Sequence, residues 1–283
     1  MAPAIDYHAP LNVLIAAKGH PYERDPFMAM FDALPGIACT LVEQPLASRL
    51  MNPDAFRGFD ALVLYDMPGL DFAAADPPGH VEPEAGFKEG FLALLDQGVG
   101  VVALPHAIAG WPAWPQYAEL LGGRFLYKPG SLRDQARPDS GYRHDIAHTV
   151  SAVDPIHPIL AGVPDPFTLT DEVYLFEVFE DTVQPLLRSD HAFNRDGFYS
   201  ASLAVAGRMF SNDGWEHADG SNLVGWTKRA GASPLVYLQP GDGPSTHGDP
   251  SYRRLVENAI RWAASPGAQA WARGGQSAAP PVR

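Results

Sequence analysis

The sequence predicts an α/β protein built on a mostly parallel central sheet. Short, largely apolar runs recur at residues 11–17, 37–42, 60–65, 99–104 and 234–239, each the length of a buried strand. Between the first four lie helical patterns, and strand–helix–strand repetition implies parallel pairing with right-handed crossovers. With 283 residues, 46% of them hydrophobic, the chain has ample material for a large core.

Residues 11–17 read as the first strand. Asp25 then caps a helix with Pro26 at its first position and Phe27, Met30, Phe31 and Leu34 on one face. Pro35-Gly36 ends it, and residues 37–42 give the second strand. The third, 60–65, stops at Asp66. Residues 84–97 form a helix that turns Phe87, Phe91, Leu94 and Leu95 inward, and Gly98 fits a C-cap. The fourth strand breaks at Pro105-His106, and a helix over 112–121 buries Trp114, Tyr117 and Leu121 before Gly122-Gly123.

From 124 to 233 the pattern is less regular, with candidate strands at 143–150, 167–171, 184–189 and 222–227 that read as excursions or antiparallel extensions. Residues 234–239 make the final strand. Asp249 or Pro250 opens a helix with Tyr252, Leu255, Val256, Ala259 and Ala263 on one face. Residues 1–10 are an N-terminal extension, 11–264 a single domain, and 265–283, rich in Gly, Ala, Gln and Pro, a disordered tail.

The formal net charge of −13 argues against nucleic acid or an anionic membrane as partner. One cysteine rules out an internal disulfide framework and a Cys-based zinc site. The N-terminal residues lack a basic segment, and no run approaches the roughly 18 apolar residues of a membrane span. The expected location is therefore the cytoplasm. No Gly-x-Gly-x-x-Gly follows the first strand and no Walker pattern occurs, which argues against a nucleotide cofactor.

In open α/β sheets, ligands bind outside the carboxyl ends of the strands. His20 and Tyr22 follow the first strand, Asp66 ends the third, and His106 stands in the turn after the fourth. Related scaffolds carry a Ser or Cys nucleophile in such a turn. Here it holds His106, with Cys39 far away, so thioester glutaminase chemistry is excluded. The backbone N–H groups of Ala107 and Ile108 are candidate donors to a substrate oxygen.

Glu172 and Tyr174 share a strand face, which suits hydroxyl binding or acid/base work, whereas Asp171 faces away. Asp242 and His247 lie in the long loop after the last strand, with a substrate-facing role or an acidic surface turn as its two readings. Trp111, Trp114 and Tyr174 offer faces for sugar stacking, and His191, Trp215 and His217 are candidates to close over the site. His157, before a proline in a turn, reads as structural. Local spacing gives no metal motif, but His20, His106, Glu172 and His247 converging from separate strand ends would suit zinc or manganese.

The signposts Gly19-His20-Pro21-Tyr22, His106-Ala107, residues 114–125, His157-Pro158-Ile159, residues 167–174, Gly225-Trp226-Thr227 and residues 258–263 occur in a particular order. In that order the chain, over about residues 11–264, resembles the ThuA-like (trehalose utilisation) family. The resemblance implies a class I glutamine amidotransferase-like, flavodoxin-like three-layer sandwich and a place in carbohydrate catabolism. Two departures stand out. Arg229-Ala-Gly-Ala-Ser233 replaces the family's Gly-Lys-Gly-Arg, and Gly241-Asp242 replaces its Gly-His, leaving His247 as the candidate substitute.

The leading expectation is an enzyme, and not a glutaminase: an isomerase, lyase or hydrolase of a keto-disaccharide or other modified sugar. His106, Glu172 and His20 would be catalytic, and Tyr22, Asp66, Trp111, Tyr174, Asp242 and His247 would bind substrate. The alternative is a non-catalytic sugar-binding or sensory domain on the same scaffold. A homodimer is a further expectation.

Overall fold

The computed structural model describes residue 6 and residues 8–274. Nine strands form the main path of its central sheet: β1 Leu11–Lys18, β2 Ile37–Glu43, β3 Ala61–Asp66, β4 Gly100–Ala103, β5 Gly141–Ala152, β6 Phe167–Leu175, β7 Gln184–Ser189, β8 Leu223–Ala230 and β9 Ser233–Leu238. Their order across the sheet is β6-β5-β7-β8-β9-β4-β3-β1-β2, and the short strand Tyr199–Ser200 joins β5 as a tenth. The five strands β2, β1, β3, β4 and β9 run parallel. From β9 the sheet continues antiparallel through β8, β7, β5 and β6, so the irregular middle of the chain is an extension of one sheet.

Period-2 alternation in buried strands sends successive side chains to opposite faces, and helices cover both. Val13, Ile15 and Ala17 pack with Phe27, Met30 and Phe31 of α1 (Arg24–Asp32), and with Tyr252, Leu255 and Val256 of the later helix Pro250–Ala263. Leu14 and Ala16 pack on the opposite side with Phe87 and Phe91 of α2 (Ala85–Gln97) and Trp114 and Tyr117 of α3 (Pro115–Leu121). The result is the expected three-layer α/β sandwich.

Several boundaries differ from expectation. α1 begins two residues early with Glu23 as its N-cap, so Pro26 is third rather than first in the helix. The expected 112–121 helix is α3 alone. A separate tight helical turn, Pro105–Ala109, holds His106. Gly98, at φ +88°, caps α2, and Asp249 caps α4 (Pro250–Ala263) by accepting the N–H groups of Ser251 and Tyr252. Residues 266–272, expected in a disordered tail, form helix α5 (Pro266–Ala272), capped by Ser265. Burying Trp271 against Trp262 orders this segment. Residues 1–5, 7 and 275–283 of the expected terminal segments lie outside the described residues. Among those described, no helix is long and apolar enough to cross a membrane.

Candidate functional site

Four loops at the carboxyl ends of the parallel strands meet the end of β6. After β1 the chain turns at Gly19, where φ is +105° and any Cβ would fall on the Met67 carbonyl. That close approach lays His20 across β3, with Nε2 2.8 Å from the Tyr65 carbonyl and Nδ1 3.0 Å from that of Pro21. Both neighbours are acceptors, so only the imidazolium donates to both. Burial nevertheless lowers the His20 pKa, opposed by the two carbonyls and Asp242. Its ring stacks on His106 with centroids 3.6 Å apart.

The turn after β4 delivers His106 into the same crevice. Burial, and then the neighbouring His20, holds its pKa well below 6.5, so the ring is neutral. Nε2 stands 3.4 Å from Asp242 Oδ1 and 3.4 Å from the Tyr174 hydroxyl, while buried Nδ1 has no partner. The single N–H therefore belongs on Nε2, where the acceptors are. Ala107 is no free donor here, because its N–H goes to the Leu104 carbonyl at 3.0 Å.

Glu172 and Tyr174 project from one face of β6, and the Tyr174 hydroxyl donates to Glu172 Oε2 at 2.5 Å. Burial, reinforced by Asp242, raises the Glu172 pKa well above 4.5. Asp171, on the other face, serves the site indirectly. Its carboxylate accepts the N–H groups of Gly241 (2.6 Å) and Asp242 (3.3 Å), which fixes the loop that carries Asp242.

The site opens into a cavity of about 280 Å³ lined by His106, Glu172 and Tyr174 at its polar end. His144, which sequence patterning did not single out, lines it too, with Nδ1 3.3 Å from Glu172 Oε1. In the β5–β6 ladder Arg143 pairs with Val173 and Ile146 with Asp171, so His144 and Asp145 together oppose Glu172. Asp145 takes a left-handed φ of +55° there. Tyr127 and the apolar walls were also missed, because they come from loops and from short helical turns such as Pro105–Ala109 and Ala201–Val205 that carry no periodic pattern.

Other expected site residues lie elsewhere. His247 is 1% exposed and directs Nε2 to the Gly241 carbonyl at 2.9 Å, while its ring packs on Phe27. It braces the loop behind Asp242. Asp66 is buried against Gln44, whose Nε2 donates to it at 2.6 Å. Trp111 packs on Phe87 and lines a separate cavity with Gln44 and Ser48. Trp114 is core, packed edge-on or tilted among the aromatic side chains of α2 and α3. Tyr22 sits behind His20, 5.7 Å between ring centroids, and outside the lining. Trp215 and His191 pack around Asp139 and Phe198, and neither they nor His217 line the cavity. His157 is structural, accepting the Ile159 N–H and packing on Trp262.

Of the four residues considered for a metal, the structure gathers two. His20 and His247 are spent on backbone carbonyls, whereas His106, Glu172 and Asp242 each present a ligand atom, all within 4.8 Å of one another.

A family model described as "ThuA: Trehalose utilisation" matches residues 15–263. A ThuA-like protein of Parabacteroides merdae superposes with a TM-score of 0.64 at 15% identity, covering 90% of each chain. One from Bacteroides uniformis gives 0.55 at 17% identity over 92% of this chain and 94% of its own. A cytoplasmic protein of Salmonella typhimurium gives 0.56 at 11% identity over 89% and 98%. These similarities show a shared fold. No curated protein matches the chain.

Proposed function

The chain belongs to the ThuA family, and from that premise we propose that it is an enzyme of carbohydrate catabolism acting on an oxidised or otherwise modified sugar by non-covalent acid/base chemistry. One observation carries this reading. Glu172, whose pKa is raised well above 4.5 by burial and by Asp242, shares one cavity end with His106, and Asp242, outside the lining, stands 3.4 Å from His106 Nε2. The turn that could bear a nucleophile bears His106, and the lone Cys39 sits half-buried in β2 with its thiol pushed up to about 12.

Chemistry beside a carbonyl needs a base for the C–H proton and an acid for the oxygen that gains charge. In this reading the Asp242 carboxylate, steadied by His106 Nε2–H, takes the proton from the carbon next to the substrate carbonyl. The C–H electron pair becomes the enol double bond, and the carbonyl oxygen receives the proton of Glu172. The Tyr174 hydroxyl holds Glu172 in register, and His20 fixes the plane of His106 by stacking. Where the carbon that lost the proton carries a hydroxyl, protonation of the enediol at the former carbonyl carbon, with loss of that hydroxyl's proton, would give an isomer. Alternatively the enol O–H returns its proton to Glu172, the carbonyl re-forms, the enol pair becomes a new C=C bond and an oxygen on the next carbon leaves with the proton that Asp242 took, which is an elimination.

The test is incubation of the protein with 3-keto-disaccharides and simple 3-keto-glycosides, with products followed by NMR. Turnover that is lost in His106→Ala supports the proposal. Absence of turnover, together with ligand binding unaffected by His106→Ala, overturns it and favours the non-catalytic sugar-binding reading.

A second reading has its own observation. The ligand atoms of His106, Glu172 and Asp242 are close enough to hold one divalent cation, with the cavity side left open. A zinc or manganese ion there would polarise the substrate oxygen in place of the Glu172 proton. His106 would then have to carry its proton on Nδ1.

A further inference from the structure

We infer that the substrate of this site carries an apolar, flat group, an aryl aglycone, where a disaccharide would carry its second sugar ring. The inference rests on the acid/base sugar reading for the reacting end and extends it to the other half of the substrate.

The cavity is polar at one end only. Beyond His106, His144, Glu172 and Tyr174 its walls include Met67, Ile108, Phe125, Ala201 and Ala204, with Tyr127 and Tyr142 among them. The hydroxyls that such walls do contain are already turned to sulfur or backbone. Tyr127 directs its hydroxyl to the Met67 thioether at 3.4 Å. Tyr142 accepts the Phe210 N–H at 3.0 Å and has the Met209 sulfur 3.9 Å away. Among the described residues, no Lys, Arg, Asn, Gln, Ser or Thr lines the cavity.

A second sugar ring would bring several hydroxyls into this chamber. Each one buried without a partner forfeits its hydrogen bonds to water, whereas an arene loses nothing and gains from removal of its surface from water. Sugar-binding aromatic platforms work because polar side chains surround them, and here that surround is missing. Three alanines, Ala109, Ala201 and Ala204, keep the space open. At about 280 Å³ the cavity exceeds the roughly 150 Å³ that accommodates benzene, leaving room for the reacting part of the sugar at the polar end.

On the exposed side, apolar side chains stand beside the imidazole of His144. Met209 and Phe210 are 50% and 57% exposed, and Phe210 adopts a left-handed φ of +58°. Its ring lies 5.8 Å from that of Tyr199 and 6.0 Å from that of His144.

Calorimetric titration of the full chain with four probes tests this: phenyl β-glucoside, cellobiose, glucose and phenol. The expected result is phenyl glucoside binding at least about tenfold more tightly than cellobiose. Ala204→Phe, which fills the chamber, should bring the aryl glucoside down to the affinity of glucose while leaving glucose unchanged. Should that variant not fold, Met209→Gln at the exposed rim is expected to narrow the gap between phenyl glucoside and cellobiose several-fold. Cellobiose binding as tightly as the aryl glucoside would overturn the inference while sparing the sugar reading. Phenol binding with no response to any sugar would support the apolar chamber and sink the sugar reading. Binding of none of the four would overturn both.

Discussion

Asp66 is a carboxylate expected from its strand-end position to touch substrate, yet the fold buries it beside Gln44, away from the cavity. Only one of its oxygens is partnered, and burial raises its pKa from 3.8 to about 6. The folded state therefore holds this proton more tightly than the unfolded chain. The stability associated with it is fully present below about pH 4 and is lost as pH rises through about 6. Raising this pKa from 3.8 to about 6 costs the folded state about 3 kcal/mol at pH 8 and about 1 kcal/mol at pH 4.5.

Asp66→Asn abolishes the titration. Its amide oxygen still accepts from Gln44, and its unpaired amide nitrogen costs about 1 kcal/mol at any pH. The variant should therefore be about 2 kcal/mol more stable than the parent at pH 8 and about equal to it at pH 4.5. Urea unfolding at the two pH values measures both differences. An equal effect at both pH values would refute the buried-charge argument, as would destabilisation at pH 8. Because Asp66 does not line the cavity, the KM for a turned-over sugar should stay within about twofold of the parent; a larger change would return Asp66 to the site.

Glu172→Gln keeps the shape of the acid but not its proton, and should lower kcat by about 10²- to 10³-fold. The parent rate should fall as pH rises through the elevated Glu172 pKa, and steady-state profiles of the variant should lack that alkaline fall. Asp171→Ala would strand the Gly241 and Asp242 N–H groups, lowering kcat through a displaced Asp242 and costing about 1–3 kcal/mol in urea unfolding. Asp171→Asn, able to accept one of those bonds, should recover part of both losses, and no recovery would argue against a positioning role. For the metal reading, protein purified without a His tag should carry about one equivalent of zinc or manganese by elemental analysis, and Asp242→Asn should release it. Less than about a tenth of an equivalent would dismiss that reading.

The parallel half of the sheet was legible in the sequence because β1, β3, β4 and β9 are buried on both faces and read as continuous apolar runs, with β2 a part-exposed edge. Its helices announced themselves through one-sided aromatic patterns and through caps such as Gly98 and Asp249. His20, His106, Glu172 and Tyr174 were legible for a related reason: strand-end position and period-2 alternation are local properties. The sequence could not say which neighbours those residues would meet. His144 reaches Glu172 only through the irregular pairing of β5 with β6, and Asp171 matters only because Gly241 and Asp242, some 70 positions away, donate to it. His247 and Asp66 looked equally eligible by position, and only tertiary packing turned one to the Gly241 carbonyl and buried the other beside Gln44. Local pattern thus determined the sheet and the edge at which chemistry gathers. Long-range packing decided which side chains face the cavity and how apolar its walls are, because contacts across strands and loops leave no periodic trace in the chain.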